Sequence, residues 1–151
     1  MEPRIISKPA FSVVGLKIRA QGGSPEIPRL WDSLMSRAHE IVGKVSDAAY
    51  GVIDRFDAAG GQFDYVAGFE VEGSHQLPSG MTVLHVPGHR YAVFDCTLPT
   101  LMEALDQADH KWLPSSAYRR ARGWDFEFYD EQFDPANPSS PMSIYIPVRA
   151  R

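Results

Sequence analysis

The chain has 151 residues, 44% of them hydrophobic, which is the size of a single domain with its own core. Its formal charge of -4 is spread along the sequence and argues against direct binding of nucleic acid. A single cysteine, Cys96, permits no internal disulfide and favours a reducing cytoplasm. No apolar run approaches the roughly 18 residues that a membrane-spanning helix needs, so no membrane association is expected.

The first half of the chain predicts a strand, a helix and two more strands. An extended segment at 7–16 is followed by Ser24-Pro25-Glu26, a sequence typical of a helix start. Apolar residues then recur at three- and four-residue spacing, which predicts an amphipathic helix packed on a sheet: Ile27, Leu30, Trp31, Leu34, Met35, Ala38, Ile41 and Val42. Two strands follow, at 50–56 and 63–71, and they are expected to pair as an antiparallel hairpin.

The second half repeats this order. The segment 86–94 resembles the opening strand, Leu101 to Trp112 predicts a helix, and 124–131 with 143–148 predict a second hairpin. The pattern predicts an α+β fold in a single domain, 1–151, built from two strand-helix-strand-strand repeats at about 3–72 and 81–149. A seam between two such sheet halves is a place where small-molecule clefts form.

One strand of the second hairpin mixes rings with carboxylates. Because side chains alternate along a strand, Trp124, Phe126 and Phe128 are expected on one face. The opposite face then carries four polar or acidic residues: Asp125, Glu127, Tyr129 and Glu131.

Standard catalytic motifs are not found in the sequence. The five histidines have no ligand spacing, so no metal site is expected, and there is neither a phosphate-binding loop nor a nucleophile elbow. No cofactor is expected. The remaining candidates for chemistry are carboxylates and aromatic rings.

A family resemblance emerges from several strings in order. They are Tyr50-Gly51-Val52, Phe63 to Val71, Pro87 to Phe94, Trp112-Leu113-Pro114, Asp125 to Phe133 and Ile144 to Val148. Together they resemble the GyrI-like small-molecule-binding domain, also called the AraC-type effector-binding domain, over nearly the whole chain. The resemblance implies a concave antiparallel sheet with helices on its back and a ligand cleft between the repeats.

In this family an acidic residue lies in a cleft lined by aromatic rings, and the residue that matches it is Glu127. The resemblance implies a ligand site formed by Glu127 with candidate rings at Tyr50, Phe69, Tyr91, Trp112 and Tyr129. A carboxylate removed from water is costly unless a proton or a cation compensates it. A bulky hydrophobic cation is therefore the expected ligand, since its charge pairs with the acid while its body stacks on rings.

Two other functions stay open. Some relatives resemble hydrolases of strained, cyclopropane-bearing natural products, for which Glu127 would be the general base and Tyr129 or Trp112 would position the substrate. A second carboxylate would help that reaction, and Glu70 or Glu131 could supply it if either points inward. The family's namesake instead suggests a protein-interaction module of the gyrase-inhibitor type.

Regulators of this kind carry a DNA-binding domain ahead of the effector domain, whereas nothing precedes residue 1 in this sequence. The expectation is a stand-alone binding domain, a monomer or homodimer. It would sequester or sense its ligand, or act through a protein partner such as a DNA-binding regulator or gyrase.

Overall fold

The structure, a computed structural model, describes residues 2–57 and 61–151, with only the backbone of 55–57. The first helix, α1, spans Glu26–Arg37, continues as a 3₁₀ turn at Ala38–Glu40, and buries Leu30 and Leu34. Both predicted helices are confirmed, but Met35 and Val42, which were predicted on the packed face of the first, are exposed. The second helical segment has four parts: a 3₁₀ turn at Leu98–Thr100, α2 at Leu101–Gln107, a π-helical stretch at Ala108–Trp112, and α3 at Leu113–Ser115. Among the described residues, no helix is long and apolar enough to cross a membrane.

Nine strands form one antiparallel sheet in the described part of the chain. They are β1 (Arg4–Lys8), β2 (Phe11–Gln21), β3 (Lys44–Asp57), β4 (Gln62–Val71), β5 (Thr82–Val86), β6 (His89–Cys96), β7 (Tyr118–Arg120), β8 (Asp125–Tyr129) and β9 (Met142–Ala150). Their order across the sheet is β1-β6-β9-β8-β3-β4-β2-β5, and β7 pairs with the end of β9. Both predicted hairpins, β3–β4 and β8–β9, are present and antiparallel.

The two halves of the sheet repeat one pairing pattern. In the first half Gly51 pairs with Ala67, which pairs with Leu16; in the second, Glu127 pairs with Ile144, which pairs with Phe94. Leu16 and Phe94 are equivalent because each lies the same distance beyond a proline that precedes its strand, as the sequence shows. The predicted tandem repeat is therefore present, and its halves meet where β3 pairs with β8.

Each repeat also has a further strand that the sequence did not predict. β1 precedes β2 but pairs with β6 of the other half, and β5 precedes β6 but pairs with β2. The first strand of each repeat thus crosses to its neighbour. Both strands are only five residues long, and just two residues separate each from the next strand, so the sequence pattern runs the two together.

The two faces of the sheet differ in what covers them. Both helices pack on one face, the helix face, where α1 contacts β2 and β4, and α2 contacts β6. The other face is concave. The evidence is that the rings of Phe11 on β2 and Phe126 on β8 lie 5.6 Å apart, although β3 and β4 lie between these two strands. In a flat sheet that separation would be about 14 Å. The helices therefore lie on the back of a curled sheet, as predicted, and aromatic rings fill the concave face.

Candidate functional site

Glu127 is a buried carboxylate at the seam of the sheet. It lies in β8 between Gly51 of β3 and Ile144 of β9, and only 8% of the residue is exposed. Its side chain points to the helix face, where Tyr129 also packs, while Phe126 points to the concave face. The alternation predicted for this strand is confirmed for Phe126, Glu127 and Tyr129, whereas Glu131 lies beyond the end of the strand. Burial raises the pKa of Glu127, and hydrogen bonds from Tyr65 and Tyr129 act in the opposite direction.

Two phenols, one from each half of the sheet, hold the Glu127 carboxylate. Tyr65 Oη donates a hydrogen bond to Glu127 Oε1 at 2.6 Å, and Tyr129 Oη donates to the same oxygen at 2.8 Å. Within the part of the chain that the structure describes, the other oxygen, Oε2, accepts no hydrogen bond. Burial and the nearby Glu127 charge raise the pKa of both tyrosines, so both remain protonated donors.

Gly51 provides the space that this arrangement occupies. A Cβ atom on Gly51 would lie 2.6 Å from Glu127 Oε1 and would overlap the Tyr65 hydroxyl. Real Cβ atoms essentially never approach other heavy atoms so closely. A side chain at position 51 would therefore displace both the carboxylate and its donor.

Trp31 forms a second layer over the site from helix α1. Its indole Nε1 donates a hydrogen bond to Tyr65 Oη at 3.0 Å, and its ring meets the ring of Tyr129 edge-on with centroids 5.4 Å apart. Phe133 also packs against Tyr129, with ring centroids 4.7 Å apart. The carboxylate is thus surrounded by rings on the helix face.

Among the side chains that the structure describes, no basic group neutralises Glu127. Among the described residues, other carboxylates that are largely buried form ion pairs: Asp64 with Lys17 and Arg19, Glu70 with Lys8, and Asp125 with Arg120. Within the same residues, Glu127 has no such partner, and its hydrogen bonds come from neutral phenols. A buried acid with only neutral donors around it favours a proton or a cationic guest.

Three of the predicted ring residues lie on the same face as Glu127, at different distances. Tyr129 contacts the carboxylate directly. Phe69 is in a neighbouring row, separated from Tyr129 by Ala49, which pairs with both. Trp112 packs against Phe94, two strands away from Glu127, with ring centroids 5.5 Å apart.

The other two predicted rings lie on the concave face, away from the Glu127 carboxylate. Tyr50 donates a hydrogen bond to Glu70 at 2.9 Å, and Tyr91 packs against Phe126 with centroids 5.3 Å apart. Glu70 is on this face as well, 3.5 Å from the Lys8 ammonium. Glu131 is exposed in the turn after β8. The structure therefore brings neither of these two carboxylates to Glu127.

Two surface cavities, of about 360 and 240 Å³, lie near the edge formed by β2 and β5, and neither is lined by Glu127.

Sequence reasoning did not assign Tyr65, Trp31 or Gly51 to the site. Tyr65 and Trp31 fit the apolar patterns of a strand and a helix, so both read as ordinary core residues. The alternation of β4 could have identified Tyr65, since it puts Tyr65 and Ala67 on one face. Placing that face on the side of Glu127 requires the register of β3 against both β4 and β8.

The solved structures that the chain matches share this curled sheet. An integron cassette protein from the mobile metagenome of Vibrio cholerae, VCH_CASS2, superposes with a TM-score of 0.69 at 22% identity, covering 98% of this chain and 96% of that chain. SAV2435, whose structure was solved bound to tetraphenylphosphonium, gives a TM-score of 0.70 at 16% identity, covering 99% of this chain and 94% of that chain. The fold is that of GyrI-like small-molecule-binding domains, as the motifs predicted.

The chain belongs to the Cass2 family of integron-associated effector-binding proteins, whose model matches residues 4–148. BrlR, a transcriptional regulator of Pseudomonas aeruginosa, is 37% identical over 152 residues. That alignment covers 98% of this chain but 56% of BrlR, so the chain spans little more than half of the regulator's length.

Proposed function

We propose that this protein binds bulky hydrophobic cations at Glu127, with the charge of the ligand beside the carboxylate and its apolar body against the surrounding rings. The observation that carries the proposal is a buried carboxylate with two neutral donors on Oε1 and, within the described residues, no donor on Oε2. A cation beside Oε2 would be compensated without displacing either phenol.

The energetics favour a cation that is also hydrophobic. A strongly hydrated ion such as sodium would lose its water shell on entering the ring cluster, whereas an ion with aryl or alkyl groups loses little. Contact between a cation and an aromatic face contributes about 0.5 to 2 kcal/mol, and more of it is realised when water is excluded. The rings of Tyr65 and Tyr129, whose hydroxyls bond the carboxylate, and the ring of Trp31 beside them offer aromatic faces to such a ligand.

The relatives support the same ligand class. SAV2435, which shares the fold, was solved with tetraphenylphosphonium, a lipophilic monocation. BrlR is a transcriptional regulator, and the part of it that aligns with this chain is about half of its length. By analogy, we propose that this chain is the ligand-sensing part of a transcriptional response and that it acts through a partner protein that contacts DNA.

Binding requires the covering rings to move. Only 8% of Glu127 is exposed, so a ligand as large as tetraphenylphosphonium needs more room at Oε2 than the side chains around it leave. Ligand entry is therefore expected to be slower than diffusion.

A thermal shift titration with tetraphenylphosphonium tests the proposal. A ligand at 100 times its Kd stabilises the folded state by about 2.7 kcal/mol, which gives a rise in Tm of several degrees. Glu127→Gln should abolish the rise, because the amide keeps the shape and the acceptor but carries no charge. Glu70→Gln, the same change on the concave face, should leave it intact.

Tetraphenylborate, an anion of the same shape, separates charge recognition from simple hydrophobic contact. It should not stabilise the wild-type protein. An equal rise in Tm with both ions, or a rise that persists in Glu127→Gln, would show that the carboxylate does not select the ligand.

A further inference from the structure

Three groups on the helix face form a continuous hydrogen-bonded chain from helix α1 to the seam. Trp31 Nε1 donates to Tyr65 Oη at 3.0 Å, and Tyr65 Oη donates to Glu127 Oε1 at 2.6 Å. An indole N–H can only donate, so the Tyr65 oxygen is the acceptor in the first bond. The single hydroxyl proton of Tyr65 is then directed to Glu127, since the carboxylate is its acceptor.

We propose that Trp31 is a positioning residue for ligand binding at Glu127, acting through the Tyr65 hydroxyl, and that it links helix α1 to the charge on the carboxylate. This inference rests on the proposed function. By holding Tyr65 as a donor to Oε1, Trp31 keeps Oε2 available for the ligand. A hydroxyl that accepts one hydrogen bond also becomes a stronger donor in the next, so the chain stabilises the ionised carboxylate cooperatively.

The two halves of the protein are not equivalent in this respect. The position in β9 that corresponds to Tyr65 is Met142, since Ala67 corresponds to Ile144, and methionine provides no hydroxyl to relay a hydrogen bond. On the second helical segment, Trp112 stacks on Tyr118 and packs against Phe94. Helix α1 is therefore the helix whose contacts change when Glu127 gains a proton or a cation.

Carboxyl-carbon NMR of the ligand-free protein tests the relay directly, with the Glu127 signal assigned by its loss in Glu127→Gln. Trp31→Phe keeps an aromatic ring but removes the N–H, and it should move the Glu127 titration midpoint to higher pH. Trp112→Phe is the matched control and should leave the midpoint unchanged. An unchanged midpoint in Trp31→Phe would overturn the proposal.

Other titratable groups around Glu127 do not interfere with this measurement. Within the described side chains they are Tyr65 on β4, Tyr129 on β8 and Cys96 on β6, and burial raises the pKa of each, that of Cys96 to about 11. All three stay protonated while Glu127 titrates, so a change in midpoint reports on the relay.

The wild-type protein offers a second readout that needs no variant. The indole N–H resonance of Trp31 should follow the Glu127 titration, whereas that of Trp112 should not. A Trp31 resonance that is insensitive to pH through the Glu127 midpoint would contradict the relay even if Trp31→Phe failed to fold.

Tetraphenylphosphonium affinity tests whether the relay affects ligand binding. Loss of one buried hydrogen bond of ordinary strength predicts about five-fold weaker binding in Trp31→Phe. Because Trp31 acts through the Tyr65 hydroxyl, the double variant Trp31→Phe/Tyr65→Phe should bind no more weakly than Tyr65→Phe alone. Independent, additive losses would refute the relay while leaving the proposed function intact. If the wild-type protein does not bind the cation, the proposed function fails, and the NMR measurements still decide the relay.

Discussion

Gly51 and Glu127 face each other across the seam between β3 and β8 and occupy equivalent positions in the two repeats. A local two-fold axis relates the two repeats and passes between these two residues. Among the described strands, Gly51 and Glu127 are the only equivalent residues that pair directly with each other. Two carboxylates at this point would repel each other, and two large side chains would collide. A glycine on one side leaves space for one acid and its phenol donors.

Gly51→Ala is expected to damage both stability and binding. The added methyl group would overlap the Tyr65 hydroxyl and come within 2.6 Å of Glu127 Oε1, so both groups must move. Overpacking of this kind costs about 1 to 3 kcal/mol of unfolding free energy. Urea denaturation measures that loss, and tetraphenylphosphonium titration measures the loss of affinity that should accompany it.

Gly22→Ala is the matched control for this substitution. Among the described residues, a Cβ at Gly22 would meet only the Met102 methyl group, at an ordinary contact distance of 3.9 Å, and Gly22 does not have a left-handed backbone conformation. Its unfolding free energy and ligand affinity should match those of the wild-type protein. Equal behaviour of the two alanine variants would mean that the seam tolerates a side chain at position 51.

The two faces of the sheet predict different effects of removing a tyrosine hydroxyl. Tyr129→Phe removes a donor from Glu127 Oε1, which raises the cost of keeping the acid ionised, and it should weaken tetraphenylphosphonium binding about five-fold. Tyr50→Phe removes a donor from Glu70 on the concave face and should leave that affinity unchanged. Isothermal titration calorimetry on both variants separates the two effects.

A loss of affinity in Tyr50→Phe equal to that in Tyr129→Phe would instead place the ligand against the concave face. Since Tyr50 and Phe126 lie there together, with centroids 5.5 Å apart, that result would identify a different aromatic wall for the site.

The alternation of β8 was sufficient to predict that Glu127 and Tyr129 share a face, because that inference needs only one strand. The placement of Tyr50 depends on more. Its neighbour Gly51, and not Tyr50 itself, shares a face with Glu127, and this follows from the register between β3 and β8. A shift of one residue would exchange the two faces, and nothing in the local sequence fixes it.

Helix α1 illustrates the same limit. The spacing of its apolar residues predicted that Trp31 packs on the sheet, and it does. The hydrogen bond from its indole to Tyr65 joins residues that are 34 positions apart, so no local pattern encodes it. The strands β1 and β5 were missed because each is five residues long and lies only two residues from the next strand, so the sequence pattern shows no break between them.

The buried acid gives the stability of the protein a defined pH dependence. Burial raises the pKa of Glu127 above its ordinary value of 4.5, so between these two values the folded state holds a proton that the unfolded state has released. The contribution of Glu127 to stability is complete below its ordinary pKa. It falls by about 1.4 kcal/mol per pH unit between the ordinary and the raised pKa, and it is lost once pH has passed the raised pKa. Glu127→Gln should remove this contribution.

Urea denaturation of both proteins from pH 4 to pH 8 measures the contribution as a difference. The unfolding free energy of Glu127→Gln should increase relative to that of the wild-type protein as pH rises and then level off. Parallel curves would indicate that the folded protein does not shift the Glu127 titration.

Cation binding should have the opposite pH dependence. A cation pairs only with the ionised carboxylate, so binding below the raised pKa of Glu127 must expel a proton, and affinity should increase with pH until that pKa is passed. Tetraphenylphosphonium titrations in buffers of different ionisation enthalpy measure the proton released: close to one per ligand below the midpoint and none above it. Because the pKa of Tyr65, Tyr129 and Cys96 is raised, none of these three neighbours of Glu127 supplies that proton in the acidic range. Binding that is independent of pH and releases no proton would mean that the ligand does not contact this carboxylate.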